Sequence, residues 1–119
     1  MRLFRFDRDV GRPIDAFGSQ GLVMSRIVRH DGGVQVGCMH LGAGGRVGRH
    51  DAVVGQLFLV VEGSGWVQGQ GAEPMPIRAG QAAFWTAGES HAAGTDAGMT
   101  AVVIEGEGLD PSPFMAEAH

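Results

Sequence analysis

The chain predicts an all-β fold, a sandwich, barrel or jelly roll, and three observations lead there. Apolar residues show no sustained 3.6-residue period. Short runs rich in Val, Ile, Phe or Trp recur instead, each closed by Gly, Pro or Asp. Glycine, with 21 residues, is concentrated between those runs and follows no three-residue repeat, which excludes collagen and marks tight turns.

In chain order the predicted strands are Leu3–Phe6, Leu22–Arg29, Val34–Leu41, Ala52–Val61, Gly65–Gln70, Pro76–Arg78, Ala82–Thr86, Ser90–Gly94 and Thr100–Glu105. Asp31-Gly32-Gly33, Gly42 to Gly45, Glu62 to Gly65, Gly69 to Pro74, Ala79-Gly80 and Ala87-Gly88 punctuate them. Gly11 to Gly21 reads as a loop laid across the surface. Ser112 to Ala118, after Pro111 and Pro113, reads as one helical turn or a frayed end. Along the Ala52–Val61 run, extended backward to His50, alternation places Ala52, Val54, Gln56, Phe58 and Val60 on the face of His50. One imidazole and one carboxamide in an apolar lining point to a wet or ligand-bearing cavity.

The 119 residues make one domain with room for one core. The expected division is an N-terminal strand and loop (1–21), a barrel (22–106) and a C-terminal tail (107–119). A net charge of −4 speaks against a nucleic-acid binder. The longest aliphatic and aromatic run, Leu57 to Val61, is far short of a membrane span, and Met1 to Val10 lacks a signal-peptide core. The single Cys38 forms no internal disulfide and suits a reducing cytoplasm. All nine basic residues are Arg, and Lys, Asn and Tyr are missing, as a GC-rich bacterial genome would give; Lys Schiff-base and tyrosyl-acid chemistry are excluded.

Two stretches carry a more specific signal. Gly44 is followed at fixed spacing by His50, Ala52, Gln56 and Gly63; Gly80 is followed by Thr86, Gly88, His91 and Thr95. In these stretches, roughly half the chain, the sequence resembles the cupin family. The spacing of both cupin motifs is kept, and the resemblance implies a jelly-roll β-barrel of about eight to ten short strands. Family ligands map onto His50 and His91. Ala52 stands where a second histidine is expected and Gln56 where a glutamate is expected, while Thr86 and Thr95 replace a proline and an asparagine. The resemblance thus leaves two imidazoles and a neutral amide oxygen, His50, His91 and Gln56, as candidate ligands of a divalent Zn, Ni, Fe or Cu ion. A metal-free pocket of the same shape is the equal alternative.

The expected ligand pocket is lined by His50, Gln56, His91, Phe58 and Trp85, an apolar cavity with a few polar groups suited to a small organic molecule. Cys38 and His40 share one face of their strand and would join the site if that face is the inner one; otherwise Cys38 is a small buried hydrophobe and His40 a surface residue. Asp51 is expected to point away and Glu89 and Glu62 to be solvated. His30 is read as a turn residue, and His119 is terminal. The arginines before residue 30 read as a charged edge strand, or as a dimer contact, since in small cupins the first strand often joins the partner's sheet. The function expected is binding of a small organic molecule in the barrel of a homodimer, with metal-dependent chemistry if an ion is held. The alternative is a non-catalytic sensory barrel with a degenerate site.

Overall fold

The computed structural model describes residues 1–118, so His119 lies outside the described residues. Eleven strands are found among them: β1 (Arg2–Arg5), β2 (Arg12–Ile14), β3 (Leu22–Met24), β4 (Gln35–Leu41), β5 (Arg46–Asp51), β6 (Gly55–Gln68), β7 (Met75–Arg78), β8 (Gln81–Trp85), β9 (Ser90–Gly94), β10 (Met99–Gly106) and β11 (Ala116–Glu117). Two short 3₁₀ turns lie near the N-terminus, and no helix is long and apolar enough to cross a membrane. The all-β jelly-roll class expected from the sequence is the class observed.

β6 is the spine of the molecule. In its first half, Gln56 to Leu59 is paired between β8 and β10, in a sheet ordered β11-β1-β8-β6-β10-β4. In its second half, Ser64 to Val67 pairs with β7 and Trp66 to Gln68 with β9, and β9 in turn pairs with β5. One strand therefore serves both walls, and the change occurs at Glu62 to Gly65, which the sequence reading assigns to a turn. Gly63 has φ +79° there, and the ladder with β10 shifts register between Thr100 and Ala101. A Cβ on Gly65 would stand 2.0 Å from the Gly94 carbonyl oxygen, so the glycines let two backbones meet closely where the strand bends.

Alternation along β6 divides two cores. Phe58 and Val60 face the interior with Ala83, Trp85, Ala93, Met99, Ala101 and Val103. Leu57 and Leu59 face outward and are covered by Phe4, Phe84, Leu109 and Met115. The cover explains two departures from the expected division of the chain. β1 is no free edge, because it lies between β8 and β11, with Arg2 paired to Glu117 and Arg5 to Asp7. The C-terminal segment returns to the sheet as β11 after Leu109 and Met115 have packed on the outer core. Gly11 to Gly21, read as a loop, contributes β2, which pairs only with β3 in a separate two-stranded sheet. The strand expected over Leu22–Arg29 stops at Met24; Ile27 and Val28 leave it to pack on the outer core.

Candidate functional site

Register brings the candidate residues together. His50 on β5 lies directly opposite His91 on β9, and the ring centroids are 4.3 Å apart. Gln56 on β6 lies opposite Trp85 on β8. Six residues beyond Trp85, after a turn closed by the Glu89 amide donating to the Thr86 carbonyl, the His91 ring stacks on the indole at 4.3 Å and 23°. Phe58 meets the same indole at 5.9 Å. His91, Trp85, Phe58 and Gln56 are buried, and His50 is exposed at the rim.

The sequence reading placed His50 and Gln56 on one strand. They stand on two, β5 and β6, separated by the turn at residues 52–54. Ala52 is buried in the inner core, and its backbone is tied to the motif-two loop by bonds to Glu89 and from Gly88. The site is thus built from facing strands, and parity along one strand did not determine it.

Backbone carbonyls set the tautomer of both imidazoles. The Nδ1 of His50 lies 2.7 Å from the Gly48 oxygen and that of His91 lies 3.1 Å from the Glu89 oxygen. A carbonyl can only accept, so each Nδ1 carries the proton and each neutral ring presents its Nε2 lone pair. Burial pushes the His91 imidazole below its ordinary pKa. The Glu89 carbonyl pulls it partway back, the His50 ring pushes it down again, and the charges of Glu89 and Glu105 pull it up. Among the described residues, His91 Nε2 and Trp85 Nε1 are buried with no hydrogen-bond partner, as is His30 Nε2 away from the site. Orphaned polar atoms of this kind cost about 1–3 kcal/mol each unless something fills the site.

Other candidates stand elsewhere. Met39 and Leu41 pack on the inner core, so Cys38 and His40, at the alternate positions of β4, face outward and are exposed. Neither joins the site, and Cys38 is not a buried hydrophobe because nothing covers that face. Asp51 and Glu62 are exposed. Glu89 accepts from the N-terminal ammonium and the Thr86 amide. Burial raises its pKa, but those bonds outweigh that and leave it lowered. His30 lies over Gly106 and Gly32, away from the two rings.

One inward carboxylate was missed. Glu105 on β10 lies opposite Gln56 and is half-buried. It shares strand parity with Ala101 and Val103, and that alternation was the available signal.

A divalent ion, which the family resemblance implies, would find as donors here the Nε2 atoms of His50 and His91, whose ring centroids lie 4.3 Å apart. It finds no complete cage: among the described residues no three His, Cys, Asp or Glu side chains converge on one point.

Comparison with known proteins places the architecture. The family model described as Cupin matches residues 29–117. A predicted oxalate decarboxylase from Thermotoga maritima is 25% identical, with a TM-score of 0.54, over 58% of this chain and 62% of that one. The chain thus spans about three fifths of that relative's length. A cupin superfamily protein from Desulfitobacterium hafniense is 16% identical with a TM-score of 0.59, covering 90% of this chain and 99% of that one. A structure described as that of DMSP lyases is 25% identical with a TM-score of 0.56, over 63% of this chain and 40% of that one. No curated protein matches the sequence.

Proposed function

The chain belongs to the cupin family, and on that premise we propose that its barrel binds a small organic molecule between His50, Gln56, Phe58, Trp85 and His91. The carrying observation is the pair of buried, unpartnered polar atoms, His91 Nε2 and Trp85 Nε1, beside an apolar floor. Desolvating two such atoms with nothing to meet them is a cost that a ligand removes. His50 and His91 would hold a divalent ion weakly, with Gln56 as a neutral third donor. Such an ion, when bound, would supply Lewis-acid chemistry. Support for that second layer is the shared Nδ1–H tautomer; the methyl group of Ala52 and the uncharged amide of Gln56 favour ligand binding without catalysis.

Titration of untagged protein with Zn(II), followed by calorimetry and by the histidine ring nitrogens, tests the metal layer. Binding to one site, weakened at least about tenfold by His50→Ala and by His91→Ala, is expected. Affinity unchanged in both variants would place the ion elsewhere.

A homodimer is the assembly we propose. β4 is a seven-residue edge strand, paired with β10 on one side and with no strand among the described residues on the other, and Val34 and Val36 beside and within it are exposed. Such an edge invites a second strand, and a second copy supplies one. Sedimentation equilibrium reading a monomer mass at micromolar concentration would refute it.

A further inference from the structure

The ladder arranges a polar row that neither motif contains. Glu105 lies opposite Gln35 on β4 and opposite Gln56 on β6, and Gln56 lies opposite Trp85 on β8. Opposed residues of an antiparallel ladder share a face, so these four side chains cross the inner wall as one strip. The next row carries Val103, Phe58 and Ala83 and forms an apolar floor. His50 and His91 close the strip from the other sheet. We infer that Glu105 sets the ligand class of this site: it admits an uncharged compound bearing adjacent hydroxyl groups and turns away carboxylates and phosphates. The inference rests on the binding reading above and narrows it.

Hydrogen bonding and charge both select that class. Trp85 Nε1 only donates and so needs an acceptor, whereas His91 Nε2, with its proton held on Nδ1, needs a donor. Both atoms are nine-tenths or more buried, at 1% and 2% residue exposure. A hydroxyl group donates and accepts at one oxygen, and Gln56 can answer a neighbouring hydroxyl in either sense. A carbon skeleton between the hydroxyls would rest on Phe58 and Val103.

Charge selects in the same direction. The carboxylates whose charge acts on His91 are those of Glu89 and Glu105. Arg49 of β5 faces away, donating to Ser90, and the chain has no lysine. Glu89 is engaged by the N-terminal ammonium, so Glu105 is the carboxylate left facing the row. An entering anion would meet that carboxylate in a half-desolvated space.

Sorbitol and gluconate test this, since they differ by one CH2OH against one carboxylate on the same six-carbon chain. The experiment uses the full-length protein in a chelating buffer, with the Trp85 indole N–H and the His91 ring followed by NMR. Sorbitol should move both resonances, with gluconate binding at least about tenfold more weakly. Glu105→Gln should strengthen gluconate until the two differ by less than about threefold, while Glu105→Asp keeps the discrimination. In the wild type, added salt should narrow the gap, a readout that does not depend on either variant folding. Gluconate moving Trp85 as readily as sorbitol, or a ratio untouched by both Glu105→Gln and salt, overturns the inference and leaves the binding reading standing. Movement of neither resonance by either compound removes the binding reading and this inference with it.

Discussion

At the scale of single residues, His91 does most to define the site, because burial, stacking and one carbonyl act on it together. Its folded pKa lies below the ordinary value of about 6.5, with burial the largest cause. On acidification the unfolded chain therefore takes up a proton before the folded one. Stability is untouched above about pH 6.5 and falls below it, by at most about 1.4 kcal/mol per pH unit. Metal-free wild type should lose more of its thermal midpoint between pH 7.5 and 5.5 than His91→Phe, which keeps an aromatic ring on Trp85. Parallel losses would mean that His91 is not the titrating group. Position 56 permits a second test. Gln56→Glu supplies the charged ligand the family motif carries, and should raise Zn(II) affinity at least about tenfold in calorimetry. It also sets a second carboxylate opposite Glu105, so metal-free stability in urea should fall by about 1 kcal/mol. No gain in affinity would show that residue 56 does not face the ion. Restoring a histidine at Ala52 is less informative, because that methyl group is buried in the inner core and a ring there would overpack it.

Among the elements, β6 shows what the sequence could and could not convey. Its alternation was legible: Phe58 and Val60 inward, Leu57 and Leu59 outward, and motif spacing put His50, Gln56 and His91 in one neighbourhood. The glycines of Glu62 to Gly65 were misread because a turn and a close backbone crossing ask for the same residue, and only the pairing of β6 with β9 and β10 separates them. Glu105 was missed for a related reason. Thr100, Val102 and Ile104 on the outer face are nearly as apolar as the inner residues, so β10 shows little amphipathic contrast to mark its one inward charge. The crossing makes a quantitative prediction. Gly65→Ala pushes a methyl into the Gly94 carbonyl, within reach of the Met99 side chain, and should cost about 3 kcal/mol or more in urea unfolding. Gly44→Ala meets open space and suffers only from φ +74°, a cost nearer 1 kcal/mol. Equal costs at the two positions would mean that the strands can part at little expense.

For the molecule as a whole, the barrel and the β2–β3 hairpin are unequal partners. The Cα radius of gyration is 14.6 Å, above the about 13.5 Å expected for a compact chain of this length, and the long axis reaches 46 Å. Among the described residues the hairpin pairs with no other strand. Phe17 beyond β2 is fully exposed at φ 61°, and Leu22 and Met24 are also exposed. Beside the hairpin, the Ser25 hydroxyl donates to the Asp7 carbonyl. A two-stranded ribbon with so little apolar cover is marginal by itself, whereas β6 and β10 open only when both cores are lost. Native-state hydrogen exchange should therefore show two classes of amide. Those of Arg12, Ile14, Leu22 and Met24 should exchange through local opening of no more than about 2 kcal/mol, independent of denaturant at low concentration. Those of Leu57, Leu59, Val102 and Ile104 should exchange only at the global unfolding free energy. If the hairpin amides track the barrel amides across a urea series, the ribbon unfolds as part of the barrel. The energy holding it would then have to come from contacts that its exposed face does not have within one chain.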